Sequence, residues 1–212
     1  MSSMPRPTAQ RPNTKGEETR AQILAAAVQQ ASEAGFESLT IGTLAERTGL
    51  SKSGLFAHFG SKLELQLAAV DEAARQFSEA VFLPALKAPR GLRRLRTLFE
   101  GWISWPERAG LRGGCPIDAA TREYDHQPGP LRDAVISRQI QLDRELVKAV
   151  QLAIETGELA PTTDPQDFAF DFFAIILMCF RSGPVVGLPQ AHARARSAFE
   201  RLVRQNTNPS SR

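Results

Sequence analysis

The chain has 212 residues, of which 42% are hydrophobic and 23% charged, proportions of an ordinary globular protein that exclude a fibrous or wholly disordered one. That length fits one small domain plus one of more typical size. The formal net charge of +3 is too small for bulk electrostatics to establish nucleic-acid binding, so any such function must be argued from motifs.

Residues 1–13 are rich in Pro, Ser, Thr, Gln and Arg without apolar periodicity and are expected to form a flexible basic arm with Arg6 and Arg11, Lys15 following just after. The arm lacks the apolar run of a secretory signal. Thr14 opens a Thr-x-x-Glu capping box with Glu17, and Ile23, Leu24, Ala27, Val28 and Ala31 follow at helical spacing up to Gly35. Thr40 caps a short second helix closed by Gly49, and Ser51 caps a third, also short, closed by Gly60. Ser61 and Glu64 open a long fourth helix through Leu67, Val70, Phe77 and Val81 that is expected to end before Pro84. A fifth helix is expected to reach about Trp105, where Pro106 and Gly110 break it, and a sixth to start at Cys115-Pro116. Pro130 suits the first turn of a seventh helix ending at Gly157; Asp164-Pro165 opens an apolar eighth, and a ninth spans residues 190–205. Phe168–Phe180, interrupted by Asp171, is shorter than the ~18 to 20 apolar residues needed to cross a bilayer, so no membrane span is expected. With no strand pattern, the fold should be all-α, with about nine helices.

Two short helices joined by a Gly-containing bend form the skeleton of a helix-turn-helix: Ala45 permits close approach, Gly49 makes the bend, and Leu50 and Leu55 bury the junction. The second helix would present Lys52, Ser53, Gly54, Ala57 and His58, small or polar groups that can enter a major groove. From Thr19 to Leu65 the order is Thr-Arg-x-x-Ile-Leu-x-Ala-Ala, Gly35-Phe36, Leu39-Thr40-Ile41, Leu44-Ala45, Gly49 to Phe56, His58-Phe59 and Ser61-Lys62-x-x-Leu65. This register resembles the TetR/AcrR DNA-binding domain across nearly its whole length.

The resemblance implies a ligand-responsive, homodimeric, cytoplasmic transcriptional regulator, by family default a repressor released from a pseudo-palindromic operator by a small effector. It places Thr40 and Thr43 near phosphates, Lys52 to His58 in the groove, and Lys62 on a phosphate. Ser51, a helix cap, adds a further hydroxyl at this face. Phe56 stands where the family usually has Tyr, which removes a phenolic hydrogen bond, and Gly42 stands where some members carry a long base-reading side chain. Expected domain limits are 14–62 for DNA binding and 63–206 for effector binding and dimerisation, with a tail over 207–212.

Weaker likeness to one branch of TetR carboxy-terminal domains runs from Cys115-Pro116 through Gly129-Pro130 to Asp164-Pro165. In such proteins the last two long helices form the dimer interface, for which Phe168, Phe172, Ile176, Phe180 and Phe199 are the candidates here. An effector pocket could be lined by Phe99, Trp102, Trp105, Cys115, Ile117, Tyr124, Phe173 and Met178, residues whose helical spacing suits a plain core equally well. Arg112, Arg122 and Arg181 could anchor an anion or sit in solvent. Cys115 at a helix start near Arg112 could be a sensor thiol or an inert core residue. With Cys179 it makes two cysteines, with neither a disulfide framework nor a CxxC pair, as a reducing cytosol allows. Asp118, Glu123, Asp125 and His126 match no metal-ligand spacing, and the Arg90, Arg93, Arg94, Arg96 run reads as a wet face. No nucleophile-base pair, phosphate loop or metal motif points to an enzyme, and no cofactor is implied. The alternative to an effector-responsive regulator is a ligand-independent architectural DNA binder.

Overall fold

A computed structural model describes residues 15–207; the Thr14 cap and the arm cations Arg6 and Arg11 lie outside the described residues. These are all-helical apart from one isolated bridge between Leu159 and Thr207. Helix α1 (Lys15–Ala34) is followed by a 3₁₀ turn (Phe36–Ser38), α2 (Ile41–Thr48) and α3 (Lys52–Phe59). Helix α4 starts as Lys62–Phe77 and continues unbroken through a π-helical Ser78–Phe82 into Leu83–Lys87. Then come α5 (Leu92–Arg108), α6 (Pro116–Tyr124), α7 (Pro130–Glu155), α8 (Pro165–Val186) and α9 (Leu188–Asn206).

The starts follow local chemistry. Ser51 Oγ accepts the Gly54 N–H and Ser61 Oγ the Glu64 N–H, both at 3.1 Å, while Asp164 Oδ1 takes the N–H groups of Gln166 and Asp167 at 2.8 and 3.1 Å. Each satisfies donors that a helix cannot pair internally. The bend after α2 needs Gly49, whose φ of 70° is left-handed.

Proline did not act where the sequence placed it. Pro84 does not end α4: the preceding turn widens, Leu83 N–H reaching back to the Ser78 carbonyl, which makes room for a ring that would clash in a regular α-turn. The Ala80 carbonyl, four residues before Pro84, is taken by Arg108 Nη2 at 3.3 Å. Pro106 likewise sits inside the last turn of α5, which runs on to Arg108.

Two cores are stitched together by shared helices. Ile23, Leu24, Ala27 and Ala31 of α1 pack with Phe36, Leu44, Leu55, Phe59 and Leu65, but also with Ala120, Tyr124 and Val135 from α6 and α7. Helix α4 changes allegiance along its length: Leu65, Ala69 and Val70 face this first core, whereas Ala73, Phe77 and Val81 face the second. A boundary near residue 62 therefore cuts the chain but not the packing. Gly113 is pressed onto α1 so closely that a Cβ there would fall inside the Ser32 carbonyl, and Ser32 Oγ donates to the Gly114 carbonyl at 2.8 Å.

The second core is aromatic. Phe99 stacks on Phe199 with centroids 4.3 Å apart and planes within 7°, and Phe172 meets both edge-on at 5.6 Å, geometries that satisfy the ring quadrupoles. Trp102 and Trp105 meet Phe77 edge-on at 4.9 and 5.0 Å.

This packing corrects the expected interface. Phe168, Phe172, Ile176 and Phe199 are buried within a single chain, so they are not available to a second subunit, while Phe180 is half-buried against the same core. The outward side of α8 carries Phe170, Ala174 and Met178 instead, with Phe170 74% and Met178 61% exposed. Helix α8, 22 residues long with a mean hydropathy of 1.6 in its most apolar window, is long and apolar enough to cross a bilayer, contrary to the length argued from Phe168–Phe180. Its inner side is nevertheless committed to α5, α7 and α9.

Candidate nucleic-acid interface and interior cavity

Helix α3 turns Leu55 and Phe59 into the first core and leaves Lys52, Ser53, Gly54, Phe56 and Ala57 exposed, with His58 half-buried. At 100° per residue, Ser53 and Ala57 lie opposite the buried seam, flanked by Lys52 and Phe56 on one side and Gly54 and His58 on the other. The centre of the exposed face is thus small, and its rim carries the charge, the aromatic ring and the imidazole. Leu50 is only partly buried at the junction.

The N-terminus of α2 is a reciprocal box: Thr43 N–H donates to Thr40 Oγ1 and Thr40 N–H to Thr43 Oγ1, both at 3.1 Å. Thr43 Oγ1 also accepts from Gln30 Nε2 at 2.9 Å and donates to the Ser38 carbonyl at 3.1 Å. The Thr43 hydroxyl is thus engaged on several sides within the fold, and the Thr40 hydroxyl, which accepts the Thr43 N–H, also lies 3.1 Å from Thr43 Oγ1. Lys52 leans back toward this terminus: a Cβ on Gly42 would lie 3.7 Å from Thr40 Oγ1 and 4.0 Å from Lys52 Nζ. A Cβ at Gly42 would make only ordinary contact with these two groups, so the site is a meeting of α2 and α3 that the sequence did not reveal. A helix N-terminus, a hydroxyl and an ammonium near Gly42 are groups suited to a phosphate oxygen.

Lys62, in the first turn of α4, donates to Glu37 Oε2 at 2.8 Å, and this partner holds the Glu37 carboxyl below the usual carboxylate range. Arg20 stacks over the Phe59 ring at 5.1 Å, and Arg47 is paired with Glu33 through two bonds of 2.9 and 3.1 Å. Lys15, expected beside the arm, is the exposed first residue of α1.

In the second core, Trp102, Cys115, Ile117 and Phe173 line a void of about 20 Å³ together with Phe77, Leu142 and Phe180, about the room one water needs. Its polar lining is Asp118, paired with Arg122 at 3.1 Å, and Gln139, which donates to Thr121 Oγ1 at 2.8 Å. The other expected pocket residues lie elsewhere. Phe99 and Trp105 are interlocked with other rings, Tyr124 packs into the first core and donates to Glu37 Oε1 at 3.1 Å, and Met178 faces outward. An open groove of about 480 Å³ between α4 and α7 adjoins the void at Phe77, Ile117 and Leu142, and carries Phe82, Leu83 and Leu86 with Asp71, Arg75, Arg138 and Glu145 at its rim. Phe77 links both spaces; its helical spacing marked it only as core.

Cys115 is buried, and burial pushes its thiol up to about 12, which disfavours the reactive thiolate; Arg112 is exposed to solvent. Glu123 accepts the N–H groups of Phe36 and Glu37, each at 2.7 Å, and His126 lies 3.5 Å from Asp125. Among the described residues no three potential metal ligands gather at one point. The arginine run is partly engaged, Arg96 gripping Glu200 through two 3.0 Å bonds and Arg94 holding the Ala88 carbonyl at 2.9 Å.

Comparison with known proteins matches residues 23–69 to the family described as bacterial regulatory proteins, tetR family, and residues 91–199 to the tetracyclin repressor-like C-terminal domain. Over 91 residues the chain is 31% identical to the HTH-type transcriptional activator FasR of Mycolicibacterium smegmatis, an alignment spanning 43% of this chain and 42% of that protein. The crystal structure of a TetR transcriptional regulator from Chloroflexus aurantiacus superposes with a TM-score of 0.78 at 28% identity, covering 90% of this chain and 94% of the other. A TetR-family regulator from Cytophaga hutchinsonii gives 0.78 at 19% identity, covering 93% and 98%. AibR, solved with isovaleryl coenzyme A and operator DNA, gives 0.66 at 22% identity, covering 85% and 98%.

Proposed function

The chain belongs to the tetR family of bacterial regulatory proteins, and from that premise we propose that it is a homodimeric regulator that releases or engages an operator when a small effector binds. The observation that carries the DNA-binding part is the α2–α3 surface: a small central face on α3, Lys52 and the Thr40 hydroxyl near Gly42, and Lys62 at the start of α4. Ser53, Gly54, Phe56, Ala57 and His58 would meet base edges and sugars. Thr40, Ser51, Lys52 and Lys62 would meet phosphate, fixing register rather than sequence. Thr43 is assigned to holding the cap.

The second subunit would pack on the outward side of α8 and α9. Phe170, Ala174 and Met178 recur every fourth residue there, and the adjoining groove is lined by Ala195, Ala198 and the arginines Arg194 and Arg201. Small residues allow helices to approach closely across a two-fold axis. Such a dimer presents its two α3 helices to major-groove faces about 34 to 36 Å apart, or a multiple of that, and hence selects an inverted repeat.

The effector would enter by the groove between α4 and α7 and open the void behind Phe77, Ile117 and Leu142. AibR's complex with an acyl thioester and DNA supports ligand control as a mode open to this fold. A coupling of ~3 kcal/mol between the sites would alter operator affinity about a hundredfold. The small size of the void favours the second reading, a ligand-independent DNA binder; the adjoining groove favours the first. Selection of bound sequences from a random duplex library by the purified chain, repeated with Lys62→Ala and His58→Ala, tests the DNA-binding part. An enriched inverted repeat weakened in the variants is expected, and no enrichment at low salt would overturn it.

A further inference from the structure

The corner between α1 and α2 is held from the other body. Glu123 of α6 spends both carboxylate oxygens on the backbone N–H groups of Phe36 and Glu37, at 2.7 Å each, and Gln66 Nε2 ties the Phe36 carbonyl at 2.9 Å. The Glu37 side chain is then divided: Oε1 accepts the Tyr124 hydroxyl at 3.1 Å and Oε2 accepts Lys62 Nζ at 2.8 Å. Helix α6 thus fixes the backbone and one side-chain oxygen of the residue that grips Lys62.

Two features set this ion pair apart from a surface ornament. Both partners remain about half exposed, Lys62 at 45% and Glu37 at 52%, so the ammonium is reachable by another anion. Exposed pairs of this kind contribute little to stability, yet two charge-assisted bonds are committed to placing one half of it. A carboxylate touching the ammonium cancels much of the field a phosphate would feel, and itself repels that phosphate.

We propose that Glu37 is a positioning residue that competes with DNA phosphate for Lys62, and that Glu123 sets the strength of that competition from the C-terminal body. The proposal rests on the DNA-binding reading above. The other end of α6 lines the void through Ile117 and Asp118, so a single nine-residue helix connects the cavity wall to a phosphate contact.

The test is binding of the full chain to a labelled random-sequence duplex, followed by anisotropy over a salt series. Glu37→Gln should bind about two- to five-fold tighter, the range expected for releasing an exposed ion pair. That gain should vanish in the Lys62→Ala background, because the competition acts through Lys62. Glu123→Gln, which keeps one acceptor, should reproduce part of the gain alone and add nothing in the Glu37→Gln background. An equal gain with and without Lys62, which marks a general charge effect, overturns the proposal; so does no gain from Glu37→Gln, or full additivity of Glu123→Gln. Wild-type binding that is indifferent to Lys62→Ala removes Lys62 from the interface and the proposal with it. Failure of the underlying reading shows separately, as no duplex binding by the wild type at low salt.

Discussion

Replacing Met178 by Glu tests which side of α8 meets the second subunit. Burying a methionine side chain fully stabilises by about 1.5–3 kcal/mol, and Met178 is 61% exposed in the single chain, so covering it by a partner contributes about 1–2 kcal/mol per copy. Two-fold symmetry doubles the loss to about 2–4 kcal/mol before any cost of burying two carboxylates. At 1.4 kcal/mol per decade, the dimer dissociation constant should rise by about two orders of magnitude. Because the side chain touches little of its own core, the unfolding free energy of the monomer should barely change. Sedimentation equilibrium over a concentration series measures the first quantity and urea unfolding the second. An unchanged dimer constant would refute the assignment of Phe170, Ala174 and Met178 to the interface.

Phe199→Ala should do the opposite, lowering unfolding free energy by about 3–5 kcal/mol in urea titrations, because its ring is stacked on Phe99 inside one chain. Lys52→Ala should weaken binding to every duplex and reduce the slope of log affinity against log salt by about 0.9, one phosphate's worth, as read by anisotropy; an unchanged slope would remove Lys52 from the phosphate contacts. For Cys115, burial raises the folded thiol from 9.0 to about 12, so the stability that the protonated thiol contributes is complete below pH 9.0 and is lost as pH rises toward about 12. Unfolding titrations of wild type against Cys115→Val should diverge only in that window, and a disulfide reagent should label Cys115 at pH 8 only once urea opens the core.

Much of the site was legible because its signals are local. A Ser or Thr before a helix, a glycine after it and a short spacing between them act over one turn, so Thr40, Gly49, Ser51, Gly60 and Ser61 could be placed without knowing what packs on them. The contact between residues 37 and 123 was missed for the converse reason: they meet across 86 positions of sequence, and Glu123 was weighed only as a metal ligand. The same holds for Lys52, whose ammonium finds Gly42 only because α2 and α3 cross there.

The apolar helices show where sequence stops. Along α8, Phe168, Phe172 and Ile176 and then Phe170, Ala174 and Met178 are both apolar series at helical spacing, and periodicity treats them alike. The first is buried and the second bare because α5, α7 and α9 cover one side only. Tyr124, a pocket candidate by composition, was drawn into the first core because α6 packs against α1. Pro84 passed for a helix end because its local rule is strong, and was overruled by a widened turn with an arginine from α5 on the freed carbonyl. Capping and turn chemistry are settled by a residue's immediate neighbours in the chain, so the sequence alone determined most of the helix starts and the DNA-reading motif. Which apolar face becomes core, cavity or interface depends on the surfaces that distant segments bring to it, and that only the tertiary structure decided.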